Sequence, residues 1–249
     1  MKDLIKKTIK TNALTNTVIY KPYLSWRKKN IEKRKRNSSE LNILGLEFGT
    51  DKVDDCHTYN SLTYLDIYEK YFLSIRHEKL KILEIGVRGG NSLKVWKSYF
   101  PKAMVYGIDI DSDCAIHNED RIKIFIGSQG DNSFLKSVIN EIGAPDIIID
   151  DGSHINELTI KSFNFLFPYL NPKGIYIVED LSCSYEDLNK VIDIWGNELH
   201  TNKRLGVNLN NKRNDIEKLF LEIIQNLDHR KGDILSIHFW AQLAVIQKV

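Results

Sequence analysis

An open α/β sheet, mostly parallel, with helices on both faces and an antiparallel hairpin at its C-terminal end, is the fold this sequence predicts. Three observations carry the expectation. From Lys79 to Val178, short apolar segments alternate with segments of helical spacing, the mark of repeated strand–turn–helix units. The strand candidates are continuous apolar runs, such as Ile147-Ile148-Ile149, which suit parallel strands covered on both faces. The last stretch, Ile234 to Trp240 and Leu243 to Gln247, reads as a terminal β-hairpin.

In chain order, residues 1–40 form a basic arm and residues 41–249 the main domain. Twelve Lys/Arg against two acids in residues 1–36 give the arm +10 in a chain of net +2, so the remainder carries −8. An arm of that kind suits an acidic surface, but no stacking aromatics or nucleic-acid motif accompany it, so a solubilising or packing role is preferred over nucleic-acid binding. A homo-oligomer is expected, with Tyr20, Tyr23 and Trp26 available to anchor the arm on the main body or on a second copy. Ser39 is placed to cap a short helix over Leu41–Phe48. Gly49-Thr50-Asp51-Lys52 makes a polar loop, and helical spacing runs from Ser61 to about Arg76 through Leu62, Leu65, Tyr68, Tyr71 and Phe72.

The repeating units follow. A first strand, Leu80–Gly86, leads to a helix from Asn91 to near Phe100. Second and third strands are expected at Met104–Asp109 and Ile122–Ile126, with a helix over Ser133–Ile142. The fourth strand is Asp146–Asp150, followed by a helix from Leu158 to about Phe167 that Pro168 ends. The fifth is Gly174–Val178, then a polar link over 182–185 and helices at about Glu186–Trp195 and Asp215–Leu227.

Composition narrows the class. With 42% hydrophobic and 27% charged residues the chain has the balance of a soluble globular protein. No apolar run approaches the ~20 residues that span a bilayer, and no membrane span is expected. The N-terminus has no apolar signal core. Cys56, Cys114 and Cys183 show neither metal spacing nor a disulfide framework, which fits a cytoplasmic protein.

The chemistry sits at the strand ends. Glu84-Ile85-Gly86-Val87-Arg88-Gly89-Gly90-Asn91-Ser92 is a Gly-rich turn into a helix N-terminus, where backbone can approach a ligand closely and free N–H groups are on offer. The dinucleotide spacing G-x-G-x-x-G is not met, which disfavours a nicotinamide oxidoreductase. Glu84 suits a cationic ligand, and Asp109, 23 residues after Gly86, can accept from ribose hydroxyls. An adenosine carrying a positive group describes S-adenosylmethionine. Gly86, Gly90, Ser92 and Asp109 are its candidate contacts, with Ser128 or Gln129 within reach of the adenine edge and Asp150 as a further candidate. The fourth strand ends in Asp150-Asp151-Gly152-Ser153-His154 and the fifth in Glu179-Asp180, so two neighbouring strands deliver four carboxylates and an imidazole to one edge. A cation is implied there. Asp151, Glu179 and Asp180 are hard oxygen ligands of the kind Mg²⁺ accepts. His154 is placed to take a proton from a hydroxyl acidified by such an ion.

Gly49-Thr50-Asp51-Lys52, Leu83-Glu84-Ile85-Gly86-Val87, Trp96 to Phe100-Pro101, Val105-Tyr106-Gly107-Ile108-Asp109, Ile149-Asp150-Asp151-Gly152-Ser153-His154, Val178-Glu179-Asp180-Leu181 and Ile237-His238-Phe239 together resemble the metal-dependent S-adenosylmethionine sugar O-methyltransferases, notably those of macrolide deoxysugars. The resemblance implies a class I methyltransferase (Rossmann-like) fold, a divalent metal on Asp151, Glu179 and Asp180, His154 as general base, and a Gly49–Tyr59 loop, with Thr50 and Tyr59, over the cofactor or active site. A sugar hydroxyl, nucleotide-linked or on a glycan or natural product, is the expected acceptor. The alternatives are a cofactor-binding, hydroxylase-like relative and a nucleic-acid methyltransferase led by the basic arm.

Overall fold

The computed structural model describes residues 38–54, 57–184 and 213–249. The basic arm up to residue 37, Cys56 and the helix expected at about Glu186–Trp195 lie outside the described residues. Among the described residues no helix is long and apolar enough to cross a membrane.

The chain enters through helix α1 (Glu40–Phe48), capped as expected by Ser39, whose side chain accepts from the Asn42 N–H. Gly49 ends it in the left-handed conformation, φ 74°, a usual helix stop. A short 3₁₀ turn (Asp51–Val53) follows, then a two-residue hairpin of β1 (Thr58–Tyr59) and β2 (Leu62–Thr63). That hairpin was not expected, and it shortens the next helix. Thr63 and Asp66 form a capping box, so α2 begins at Tyr64 rather than Ser61 and runs to Phe72.

The repeating units then appear: β3 (Lys81–Ile85), α3 (Asn91–Tyr99), β4 (Met104–Asp109), β5 (Ile122–Ile126), α4 (Asn132–Ile142), β6 (Ile147–Asp150), α5 (Asn156–Leu166) and β7 (Ile175–Val178). Pro168 sits within a 3₁₀ turn (Phe167–Tyr169) that prolongs α5. A further 3₁₀ turn occupies Leu181–Ser184, where only a polar link was expected. Helix α6 (Arg213–Asp228) and the hairpin β8 (Ile234–Trp240) and β9 (Leu243–Lys248) complete the chain.

The main sheet has the order β5-β4-β3-β6-β7-β9-β8. The first five strands pair in parallel, and β9 inserts antiparallel between β7 and β8. Alternate side chains of each strand feed two cores. Ile82, Val105, Ile147, Ile149, Ile177 and Val245 pack with Leu41, Leu65, Tyr68 and Trp96 on the face covered by α1, α2 and α3. Leu83, Ile108, Ile148, Tyr176, Val178 and Ile246 pack with residues of α4, α5 and α6 on the other. Removing each such side chain from water contributes about 1.5–3 kcal/mol, and the central strands β3, β6 and β7 are buried on both faces. Chain order reverses between β3 and β6, so their carboxyl ends border the crevice where open α/β sheets take ligands. The sheet order and both helical layers define a class I methyltransferase fold.

Candidate active site

Two acidic neighbourhoods flank that crevice. On the β3–β4 side, Gly86 leaves the strand with φ 95°. A β-carbon there would stand 2.1 Å from the Asp151 carbonyl oxygen, so the close approach of the β3 and β6 tips requires glycine. Gly90, φ 66°, closes the turn before α3, and a β-carbon there would strike the His117 ring. Asp109 reaches back over this turn: one carboxylate oxygen accepts from the backbone N–H of Val87 and Arg88 at 2.8 and 3.0 Å, the other from Asp111 at 2.9 Å. Burial works against the charge, but the donors from Arg88, Asp111 and Val87 outweigh it and hold the carboxyl below its ordinary value.

On the β6–β7 side the compensation comes from side chains. Asp151 continues β6, its N–H bonded to the Ile85 carbonyl, and Glu179 continues β7, bonded to the Asp150 carbonyl. Lys52, from the loop after α1, reaches between them. Its side chain is 1% exposed, with Nζ 2.5 Å from Asp151 Oδ2, 2.7 Å from both Glu179 oxygens and 3.4 Å from Glu84 Oε1. Burial alone would strip this ammonium, but Asp151, Glu179 and Glu84 together hold it charged and lift its pKa well above the usual lysine value. Tyr68 donates to Glu179 at 2.5 Å. Glu84 is sealed in: Ser92 and Trp96 donate to Oε2, and Oε1 accepts no hydrogen bond from the described residues. Burial pushes its carboxyl up to about 7, against the pull of Lys52.

The outer part of this edge is more open. Asp180 Oδ1 is 3.2 Å from His57 Nε2 and accepts from the Tyr64 hydroxyl at 3.0 Å. His57 is itself held through Nδ1, 2.8 Å from the Asp51 carbonyl. His154 Nε2 lies 3.8 Å from Asp151 Oδ1 and 3.7 Å from Asp180 Oδ2. Against the opposing effect of burial, the two histidines and Tyr64 hold the Asp180 carboxyl well below its ordinary range. Both His154 and Asp180 have left-handed backbones, φ 55° and 54°. Non-glycine residues adopt that region at a cost of order 1 kcal/mol, and such strain collects where side chains must be aimed.

The expected residues thus fall into distinct places. Asp151, His154 and Asp180 come together with candidate ligand atoms within 4.8 Å of one another; Glu84, Asp151 and Glu179 form a second such group. Asp151 belongs to both. Asp150 is buried and bonded to Ser162 and Gln129, and burial pushes its carboxyl up. Gln129 is also buried, donating to Asp150 and accepting from the Ser153 N–H. Ser128 accepts from the Gly130 N–H and is half-buried. Thr50 is buried, and its hydroxyl caps the turn that carries Lys52. Tyr59 is 60% exposed on β1. Lys52, His57, Tyr64 and Tyr68 were not expected as site residues. The one signal for Lys52 was the surplus of acids, which called for a cation without saying that the chain holds one.

The donor chemistry suits a hard divalent ion: carboxylate oxygens of Asp151 and Asp180 converge on a crevice, with the His154 imidazole beside them.

No protein-family model matches the chain. It is 42% identical over 149 residues to the 8-demethyl-8-alpha-L-rhamnosyl tetracenomycin-C 2'-O-methyltransferase of Streptomyces olivaceus, covering 57% of this chain and 38% of that protein. It is 42% identical over 125 residues to the mycinamicin VI 2''-O-methyltransferase of Micromonospora griseorubida, covering 47% of this chain and 31% of that one. The chain therefore spans less than half the length of these curated relatives. Its fold superposes on the MycE methyltransferase of the mycinamicin pathway, solved with Mg, SAH and mycinamicin VI, with a TM-score of 0.64 at 29% identity, over 85% of this chain and 55% of that one. A Staphylococcus aureus protein solved as a caffeoyl-CoA O-methyltransferase shares the fold alone, with a TM-score of 0.54 at 16% identity. The resemblance read from the motifs and the predicted fold are both borne out.

Proposed function

We propose that the protein is an S-adenosylmethionine-dependent, divalent-metal-assisted O-methyltransferase acting on a sugar hydroxyl. The observation that carries the reading is the Asp151–His154–Asp180 group, set across the crevice from the glycine turn and Asp109. The relatives' names supply the acceptor class: their sugars are attached to polyketides, and a sugar on a natural product, a glycan precursor or a nucleotide is the acceptor proposed here.

Bound S-adenosylmethionine would supply an electrophilic methyl group, and a divalent ion would acidify a hydroxyl coordinated to it. The chain's own residues do the rest. The turn at Gly86–Gly90 and the Asp109 carboxylate are the seat proposed for the adenosine. Asp151, Glu179 and Asp180 are the proposed metal residues. His154 takes the hydroxyl proton, and positioning by the rigid β6 and β7 tips supplies much of the remaining rate.

Transfer of labelled methyl from S-adenosylmethionine to a panel of rhamnosylated polyketides and nucleotide-sugars tests the reading. Turnover that is lost with chelator and regained with Mg²⁺ is expected. Full turnover after rigorous metal removal overturns the metal assignment, and methylation of RNA but of no sugar in the panel overturns the acceptor class.

A further inference from the structure

Asp180 stands just past the regular part of the sheet. The last register pair that β7 makes with β9 is Val178–Ala244, and the Glu179 N–H bonds the Asp150 carbonyl. Beyond Asp180 the support comes from the tip of the C-terminal hairpin. The Leu181 N–H donates to the Gln242 carbonyl at 2.9 Å. The Gln242 side chain accepts through Oε1 from the Ser182 hydroxyl, also at 2.9 Å. The Tyr64 hydroxyl, which donates to Asp180 Oδ1 at 3.0 Å, stands 3.3 Å from the same Gln242 carbonyl. One residue thus grips the two positions after Asp180 and touches the tyrosine that holds its carboxylate.

Gln242 is the second residue of the two-residue loop between Trp240 and Leu243, and its backbone is left-handed, φ 61°. Hairpin loops ordinarily put glycine or asparagine at such a position, because other side chains crowd their own backbone there. Strain of this kind persists only where the surroundings over-determine it. What glutamine has and glycine lacks is the reach to Ser182. We propose that Gln242 is a positioning residue for Asp180. Its carbonyl and side chain fix the backbone of Leu181 and Ser182, so that Asp180 keeps Oδ1 on Tyr64 and His57 and turns Oδ2 toward the His154 side of the crevice. The inference rests on the reading of Asp180 as a metal residue. Groups that orient a metal residue in this way typically change metal affinity by about 10–100-fold when removed.

Gln242→Gly separates the two roles, because it removes the side chain and relaxes the backbone at once. A turn residue with no other duty would become glycine without loss of any kind. Thermal melts, Mn²⁺ titration followed by the electron paramagnetic resonance of the free ion, and calorimetry with S-adenosylhomocysteine are run on the full chain after chelator treatment. Gln242→Gly is expected to melt at or above the wild type, to bind Mn²⁺ about tenfold more weakly, and to bind S-adenosylhomocysteine as the wild type does. Its kcat should fall at limiting Mg²⁺ and recover when Mg²⁺ is raised by about the same factor, with the KM for S-adenosylmethionine unchanged. Ser182→Ala removes the other end of the bond and should weaken Mn²⁺ binding equally, and the double variant should lose no more than either single one. Wild-type Mn²⁺ affinity in Gln242→Gly, or losses that add in the double variant, overturns the proposal. A wild type that binds no Mn²⁺ removes the metal reading instead, and hydrogen exchange at the Leu181 amide then decides. Faster exchange in Gln242→Gly keeps the positioning role, and wild-type exchange overturns it.

Discussion

The two sides of the crevice solve one electrostatic problem by different means. At the β3–β4 end, Asp109 is compensated by three backbone N–H groups, two of them from the turn it folds over. At the β6–β7 end, Asp151, Glu179 and Asp180 are compensated by Lys52 and His57, which arrive from about a hundred residues earlier in the chain. Backbone dipoles are fixed once the turn forms, so the first side is a rigid seat. Side-chain cations can be exchanged for others, so the second side suits chemistry that moves protons and ions. On this contrast, substitutions on the β6–β7 side should cost more, and cost activity, than equivalent ones on the β3–β4 side.

The largest effect is expected at His154. His154→Ala removes the base and should lower kcat by roughly 10²–10⁴ with a small change in the KM for S-adenosylmethionine. Asp151→Asn should act as strongly, because it removes a ligand oxygen from one group and an ion-pair partner from the other. Steady-state methyl transfer measures both. A His154→Ala enzyme within a few-fold of wild type would remove the chemical role from this side and collapse the contrast.

Stability is the next measure. Lys52→Met leaves Asp151, Glu179 and Glu84 without their common cation, and breaking a buried ion pair in this way costs about 3–5 kcal/mol. Urea unfolding should show it as a lower midpoint. A loss of less than ~1 kcal/mol would mean the ammonium is no more than a surface charge in effect, against its burial.

Most of the scaffold was legible in the sequence because it depends on local pattern. Met104–Asp109 and Ile122–Ile126 were bounded to the residue, since short, mostly apolar and β-branched or aromatic runs between turn signals leave few alternatives. The hairpin at Thr58–Thr63 was not legible: its strands have two residues each, too few for a period-2 pattern to register. The acids of the site were visible because strand ends are predictable and Asp150-Asp151 and Glu179-Asp180 stand at them. Their partners were hidden by sequence distance. Nothing near Lys52 says that it meets Glu179, 127 positions on, because that contact follows from α1 packing on α2 and α3 rather than from any local rule. Gln129 and Asp150 illustrate the converse. Both stand at or just past strand ends that the pattern made visible, yet each is engaged with buried neighbours that only the packing of α5 against the sheet brings within reach.

Glu84 sits where the two sides meet, and pH resolves to which it belongs. Its folded value, about 7, lies above the usual 4.5 because burial disfavours the charge. A raised acid contributes stability that is fully present below pH ~4.5 and is lost as pH rises through about 7, on the order of 3 kcal/mol in all. Glu84→Gln should therefore lose that part of the pH slope, and its stability deficit against wild type should shrink between pH 4.5 and 7. Melts across that window measure it. A deficit that stays constant would mean Glu84 is as well compensated as Asp109 and belongs with the rigid seat.

Asp109 itself should give the smallest effect and the opposite slope. Its folded value lies below the ordinary 3.8, so its contribution is present above the free carboxylate range and drains away as pH falls through the folded value. Asp109→Asn keeps one acceptor oxygen but turns an amide N–H₂ toward backbone donors, at a cost on the order of 1–3 kcal/mol near neutral pH. Because the turn is held also by Gly86 N–H to the Ile108 carbonyl and Gly90 N–H to the Val87 carbonyl, the fold should survive the change. The deficit should vanish as pH drops below 3.8, and binding of S-adenosylhomocysteine, read by calorimetry, should weaken about tenfold while kcat at saturating cofactor stays near wild type. A drop in kcat as large as that of His154→Ala would show that both sides of the crevice share in the chemistry, and that the seat is not merely a seat.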